Sequence, residues 1–501
     1  MNHSAGGTDR GGASARTKSG GLVSGGVSPG RAGGRRAALA VPGGAGPVTG
    51  PAWPEVVLAA AAFAVLCVAV LSVAPQLVEP DDHAYQASII AISQGHFLAL
   101  STAQVHLLEA QLAGSGPGPR LAGGPGGGPP AIAQWVQLPS GRWISEKDPG
   151  YPFLAAPFQA AGIIRLAPLF YGALGCLGLF FGARRWLGRC GGAAAAGLFC
   201  SSGAALAYAW RDYMPTFTEA SLIAAGTGAL LWTMLAEQAP ARRRTGIGLL
   251  GFLAIEAAVF VRYTDIVVLG CAVVAVLAAR WLRAASTPPA SLRWWLGSVV
   301  VFGAWVALFD QVVYGGPLKS GYRPGEITFS LGAIIPNLRS MPPHLLQAIP
   351  ALVLALAGLA WITLSWVRLR RTHGGDGPAA ARRDFAVGLA LALSWFSVWG
   401  LYAAYAWTTQ PGLGAVQTAR FYAPAMGAIA LLGAWALARL PLRVWLAAAA
   451  PAAAVAALFG LGIWSYADMV HPPDRGVPAP PGCTIGEPHC PVNPAGHRGT
   501  P

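Results

Sequence analysis

Apolar runs of roughly twenty residues recur along most of this chain, the first from about Val56 to Leu77 and the last from about residue 444 to residue 465. Each is long enough to cross the hydrocarbon core of a bilayer as a helix. In lipid only helices and closed barrels satisfy their backbone polar groups, and these runs are too long and too evenly apolar for barrel strands. With 54% of the 501 residues hydrophobic, 11% charged and a mean hydropathy of +0.50, the chain carries too little charge for a soluble fold. The expectation is an all-α polytopic membrane protein of about eleven transmembrane helices. After the first span they fall near 165–183, 191–209, 216–236, 246–261, 264–282, 294–314, 345–367, 385–405, 421–438 and 444–465. The region 246–282 reads equally as two short helices or one long broken one.

A net charge of +14 invites a nucleic-acid partner, but the placement of the charge excludes it. The arginines sit in short clusters between apolar runs, not along one face of a soluble domain. With the N-terminus placed inside, the inner segments carry Arg184, Arg185 and Arg189; Arg242 to Arg244; Arg280, Arg283 and Arg293; Arg368, Arg370, Arg371, Arg382 and Arg383; and Arg439 and Arg443. With the N-terminal tail these make 22 of the 34 Lys and Arg, and every internal cluster falls on one side, as the positive-inside rule requires. Segments 78–150, 315–344 and 406–420 and the C-terminal tail then face outward. Lysine is confined to Lys18, Lys147 and Lys319, while Ala, Gly, Pro and Arg abound, a composition of GC-rich bacterial genomes. The expected location is a bacterial plasma membrane, with the functional side extracytoplasmic.

Three regions follow. Residues 1–54 are a Gly/Ser/Arg-rich tail without hydrophobic periodicity, expected to be disordered and cytoplasmic. Residues 55–466 form the transmembrane domain, whose external loop 78–150 holds a helix-compatible stretch suited to the interface and a Gly/Pro-rich insertion at 113–130. Residues 467–501 are a polar tail, in which Cys483 and Cys490 can pair if exported. Cys67, Cys176, Cys200 and Cys271 lie inside apolar spans and read as small core residues. The first span reads as an uncleaved signal anchor.

Chemistry concentrates in the outer segments. Asp81 and Asp82 follow Pro80 and precede helix-compatible residues, which puts them at a helix N-terminus, where the macrodipole favours ionised carboxylates. Such a pair at the lipid–water boundary can take a proton from a nucleophile, or hold a divalent cation with His83. The plain alternative is an N-cap with a solvated neighbour. "SEKDPGYPF" sets Lys147 beside Glu146 and Asp148, just before Tyr151; the cation suits a phosphate and the aromatic a sugar ring, or the cluster is simply surface charge with an interfacial Tyr anchor. Pro-Ser-Gly at 139–141 reads as a turn between two short extended pieces. Arg211, Arg262 and Arg420 sit on the outer side against the general bias, and guanidinium suits phosphate, although pairing within the chain, such as Arg262 with Asp265, competes. "YGGPLKSGYRPGE", with Lys319 and Tyr322, lacks P-loop spacing and reads either as a mobile loop over a site or as a connector. No zinc spacing, Ser-His-Asp signature or dinucleotide fingerprint appears.

Taken in order, these motifs resemble the GT-C superfamily of integral-membrane glycosyltransferases, in the branch of protein O-mannosyltransferases and lipid A aminoarabinose transferases. The resemblance rests on Asp81–Asp82 after the first span, on "SGRWISEKDPGYPFLAAPF" from Ser140 to Phe158, and on Glu219 opening a later span. "GGPLKSGY" from Gly315 to Tyr322 and "RFYAP" from Arg420 complete it, over roughly residues 55–440. The chain departs from the family pattern in its Gly/Pro insertion, in Asp-Asp where Asp-Glu is common, and in "EKDPGYP". The resemblance implies a polyprenyl-phosphate-linked sugar donor entering from the outer leaflet and an extracytoplasmic acceptor (protein, lipid or glycan). It implies Asp81 or Asp82 as the activating acid, and Lys147, Arg262, Arg420 and Arg211 facing the departing phosphate. Tyr151, Glu219, Lys319 and Tyr322 would bind substrate. No organic cofactor is implied; a divalent metal ion on Asp81, Asp82 and His83 stays open. A transporter or flippase of lipid-linked or small anionic substrates is the rival reading, against which stand the absence of a clear internal repeat and the clustering of charge at one interface.

Overall fold

The computed structural model describes residues 53–73, 80–96, 99–113, 134–138, 140–188, 190–281, 289–322, 327–373, 379–409, 413–439, 453–454, 456–457 and 460–464. The tails, nearly all of the Gly/Pro insertion, and Cys483 and Cys490 lie outside these residues, as does most of the expected last span.

In chain order the helices begin with α1 (Trp53–Leu71), α2 (Pro80–Ser93) and α3 (Thr102–Ala113). Strands β1 (Trp135–Gln137) and β2 (Trp143–Ser145) come next, followed by α4 (Gly150–Ala160), α5 (Leu166–Leu187), α6 (Gly191–Cys200), α7 (Gly203–Ala209) and α8 (Thr216–Leu235). The remainder are α9 (Ala241–Val261), α10 (Ile266–Trp281), α11 (Pro289–Tyr314), α12 (Ile334–Ala348), α13 (Leu352–His373), α14 (Ala379–Ala403), α15 (Ala415–Ala419) and α16 (Met426–Ala438).

Seven helices among the described residues are long and apolar enough to cross a membrane, or eight if α6 and α7, bent by 60° at Ser201–Ser202, count as one span. The expected count of about eleven is therefore not reached by length and hydropathy. Glu219 and four threonines dilute α8, which is long enough but not apolar enough. The helical stretch Ala423–Ala438 is short. The ambiguous 246–282 region is two helices, α9 and α10, parted by extended Arg262 and a single 3-10 turn.

Small residues set the central packing. Gly175, Gly178 and Gly182 of α5 face Ser221, Ala225 and Gly228 of α8 so closely that a Cβ would lie 2.5–2.9 Å from the nearest backbone atom. Lipid supplies no hydrophobic drive between helices, so close backbone approach and dense packing hold such pairs together. Elsewhere in the bundle Trp210, Trp295 and Trp395 are buried. Many of the exposed large apolar side chains lie on the membrane-long helices, such as Val300 and Leu308 on α11 and Val353 on α13, which suits contact with lipid.

The basic clusters gather at one end of this bundle. Arg185 Nε donates to the Leu235 carbonyl at 3.1 Å and Arg244 Nε to that of Thr233 at 3.2 Å. Asp384 accepts from Trp186, and from Arg439 at 2.6 Å. The opposite end carries α2, α4 and the hairpin. There β1 and β2 pair antiparallel, Trp135 against Ser145 and Gln137 against Trp143, around the expected turn, in which Gly141 takes φ +77°.

Candidate functional site

The first turn of α2 begins at Pro80, whose fixed φ and missing N–H suit a helix start, and delivers Asp81 and Asp82 side by side. Successive residues on a helix point about 100° apart, so the two carboxylates diverge. Asp82 is 1% exposed and bound in bidentate fashion by Arg211, Nε to Oδ1 at 3.2 Å and Nη2 to Oδ2 at 2.6 Å. Arg211 lies in the segment between α7 and α8 and is 2% exposed. Arg211, expected among the phosphate ligands, is therefore committed to Asp82, and the pair joins α2 to the bundle.

Asp81 turns the other way, with its side chain 18% exposed, toward two cations. Lys147 Nζ lies 3.1 Å from Oδ1 and Arg420 Nη1 lies 3.0 Å from Oδ2. Burial alone would raise the Asp81 pKa, but these two charges and a hydrogen bond from Gln134 outweigh it and hold the carboxyl well below its usual range. Lys147 is the counterpart: burial opposes its charge, Asp81 and Glu146 favour it, and its pKa stands above the ordinary value.

A second layer supports this triad. Arg262, in the break between α9 and α10, pairs with Glu219 of α8 at 3.1 Å rather than closing only on Asp265, and donates to the Arg420 carbonyl at 3.2 Å. Arg420 lies over Trp407 and Phe421, with its guanidinium carbon 4.8 and 4.6 Å from the ring centroids. Tyr322 takes a 3.4 Å hydrogen bond from Lys147 and offers it a ring face at 4.9 Å. Glycines permit two of these approaches. A Cβ at Gly150 would overlap the Phe260 backbone, and one at Gly321 the Glu146 backbone. The hairpin exit can thus lie on α9, and the loop carrying Tyr322 on the hairpin exit.

Other expected residues fall elsewhere. Tyr151 is fully buried, edge-on to Tyr85, and donates its hydroxyl to the Asp212 carbonyl, so its ring has no face for a sugar. Lys319 is exposed in the turn after α11. His83 is half-buried, and burial lowers its pKa against the pull of Asp82. No group of three His, Cys, Asp or Glu that could hold a metal occurs among the described residues. A divalent ion does not fit the acidic pair: the carboxylates diverge, and each already faces cations.

Sequence reading missed Gln134, and gave Asp148 and Asp212 no role of their own beside Lys147 and Arg211. Gln134 adopts left-handed φ +58° and reaches Asp81; an isolated Gln beside a Gly/Pro tract carries no signal of this. Asp148 accepts from the Tyr263 backbone N–H at 3.4 Å, and burial raises its pKa to about 7 against the pull of Arg262. Burial likewise raises Asp212 to about 7, against Arg165.

A small pocket of about 40 Å³ opens beside Lys147, walled by Trp135, Phe153, Phe309 and Tyr314 with Ser88 and His96. The segments carrying residues 81, 147, 211, 262, 322 and 420 thus converge at the end of the bundle away from the arginine clusters. This arrangement presents one ionised, partly accessible carboxylate between cations, backed by a further guanidinium.

No known family model matches the chain, and no curated protein matches it. Among solved structures it is similar to ArnT from Cupriavidus metallidurans bound to undecaprenyl phosphate, at 17% identity over 84% of this chain and 70% of that one, with a TM-score of 0.48. ArnT in the apo state gives 17% identity, 81% and 63% coverage and a TM-score of 0.46. The oligosaccharyltransferase of Archaeoglobus fulgidus in its apo form gives 11% identity, 83% and 57% coverage and a TM-score of 0.46.

Proposed function

We propose that this chain is a GT-C-type membrane glycosyltransferase that moves a sugar from a polyprenyl-phosphate-linked donor to an extracytoplasmic acceptor, whether protein, lipid or glycan. The observation that carries this reading is the bracketing of Asp81 by Lys147 and Arg420, with Arg262 behind, at the end of an apolar bundle opposite its basic clusters. The ordered motifs along the sequence supply the rest of the support.

In the proposed reaction an acceptor hydroxyl gives its proton to Asp81, and its oxygen attacks the anomeric carbon. The bond between that carbon and the phosphate oxygen breaks, and the lipid phosphate leaves with the electron pair. Charge building on the leaving phosphate is stabilised by Lys147, Arg420 and Arg262. Before the donor arrives Asp81 is a weak base, because both neighbouring cations favour its ionised form. A donor phosphate competes for the same cations, and any weakening of their hold raises the basicity of Asp81. Binding of the donor and activation of the acceptor are thereby coupled through shared charges. Tyr322, against Lys147, takes the place in substrate contact that Tyr151 cannot. Glu219 holds Arg262.

The test uses the purified protein in lipid with a panel of polyprenyl-monophosphate sugars and envelope extract as acceptor, following release of free polyprenyl phosphate. Release from one donor, lost on Asp81→Asn, is the expected result. No release from any donor of the panel counts against transferase chemistry and moves the account to a transporter.

A further inference from the structure

A largely apolar cavity lies away from the site described above. It has a volume of about 140 Å³ and sits between α8, α10 and α14, along Leu231, Val268, Ala275, Ala279 and Leu391. Its lining runs from Val268 to Ala279 on α10 and from Arg383 to Ser394 on α14. At 1.5 Å per residue each stretch is about 16 Å long, close to half of a ~30 Å hydrocarbon core and so to one leaflet. Val274, Leu389 and Leu393 on its rim are exposed large apolar side chains, so the cavity is a groove open on its membrane-facing side.

Apart from Thr227, Cys271 and Ser394, the lining has one polar member, Arg383, at the basic end of the bundle. Its Nε is buried and meets no hydrogen-bonding partner among the described residues. The adjacent acid cannot serve it: Asp384 already accepts from Arg439 at 2.6 Å and from Trp186 at 3.0 Å, with Trp435 at 3.4 Å. Arg383 also stands near the N-terminal end of α14, where the helix dipole disfavours a cation, and the first turn holds no acidic residue. Arg383 is partly buried, and its buried Nε–H without a partner leaves the guanidinium able to take an anion from the groove.

We infer that the groove between α8, α10 and α14 binds one chain of an anionic phospholipid, whose phosphate lies on Arg383. The ligand comes from the leaflet at the basic end of the bundle. About nineteen residues of α14, roughly 28 Å, separate Arg383 from Tyr402 at the other end. The site is therefore distinct from the triad around Asp81 and independent of the reaction assigned to it.

The full chain, purified and exchanged into nanodiscs of mixed phosphatidylglycerol and phosphatidylcholine, tests this by native mass spectrometry of retained lipid. One retained phosphatidylglycerol is expected, in preference to phosphatidylcholine. Arg383→Gln should reduce that preference by about tenfold, as loss of one charge-assisted hydrogen bond would. Arg383→Lys should keep most of it, and Arg382→Gln, at an exposed neighbour, all of it. Ala275→Phe fills the groove with Arg383 in place and should abolish retention of either lipid. Equal retention by wild type and Arg383→Gln, or retention unaffected by Ala275→Phe, overturns the inference. So does retention of both lipids without preference. With polyprenyl phosphate added as a third lipid, its selective retention at Arg383 also overturns it, because the ligand would then be the proposed donor's own lipid.

Discussion

Two adjacent aspartates do different work because a helix turns them apart. Asp81 faces Lys147 and Arg420 at the rim, while Asp82 is sealed against Arg211. Asp82→Asn removes one charge of a buried pair, which costs about 3–5 kcal/mol; thermal unfolding in a fixed detergent should show the fall. Asp148 gives a pH signature. Its carboxyl stands near 7 in the folded chain, above the ordinary value of 3.8, because burial resists its ionisation. Between these values the folded state binds the extra proton, so its contribution to stability falls as pH rises from about 4 to about 7 and levels off above. Asp212, raised in the same way, adds a parallel slope. Unfolding midpoints measured from pH 4 to 8 should fall with pH in the wild type and fall less in Asp148→Asn. An unchanged slope in that variant would remove Asp148 from the account. The acidic pair itself was legible in the sequence, since Pro80 and the apolar run before it mark a helix start at the membrane edge. Which carboxylate meets which cation was not, because Arg211 and Arg420 lie 129 and 338 or more positions away and only the fold selects between them.

At the level of elements, the site depends on backbones that touch. Gly150 lets α4 begin against the end of α9, and Gly321 lets the loop after α11 rest on Glu146. Gly321→Val should push Tyr322 off Lys147 and lower turnover with little change in unfolding temperature, because the loop is peripheral. Gly178→Leu, in the seam of α5 and α8, should instead destabilise the whole bundle; overpacking of this kind costs about 1–3 kcal/mol or more, read as a lower unfolding midpoint. The hairpin was legible from Pro-Ser-Gly between two short extended pieces, whereas the 246–282 region left two short helices and one long broken one open. The α5–α8 seam was not identified, although its glycines recur at helical spacing. Hydropathy registers such a stretch only as moderately apolar, and what matters there is the missing side-chain volume.

For the molecule as a whole, the arginine clusters and the outer-segment charges do separate to opposite ends of one bundle, as charge counting along the chain implies. The span count was less legible. Apolar runs mark helices well, but α8 carries Glu219 for the site and so loses hydropathy, and α6–α7 bends within a single run. A site built inside helices erodes the signal by which those helices are found. The central claim is that this assembled charge cluster is a catalytic centre in which Asp81 takes the acceptor's proton. The most direct test compares turnover and unfolding temperature of wild type, Asp81→Asn and Asp82→Asn, in lipid, with the donor that the wild type uses. Asp81→Asn should lose about 10²–10⁴-fold in turnover while still folded at the assay temperature, and Asp82→Asn, in the more buried pair, should show the lower unfolding temperature of the two. Wild-type turnover by Asp81→Asn would contradict the account, because it would leave the carboxylate between Lys147 and Arg420 with no part in the chemistry.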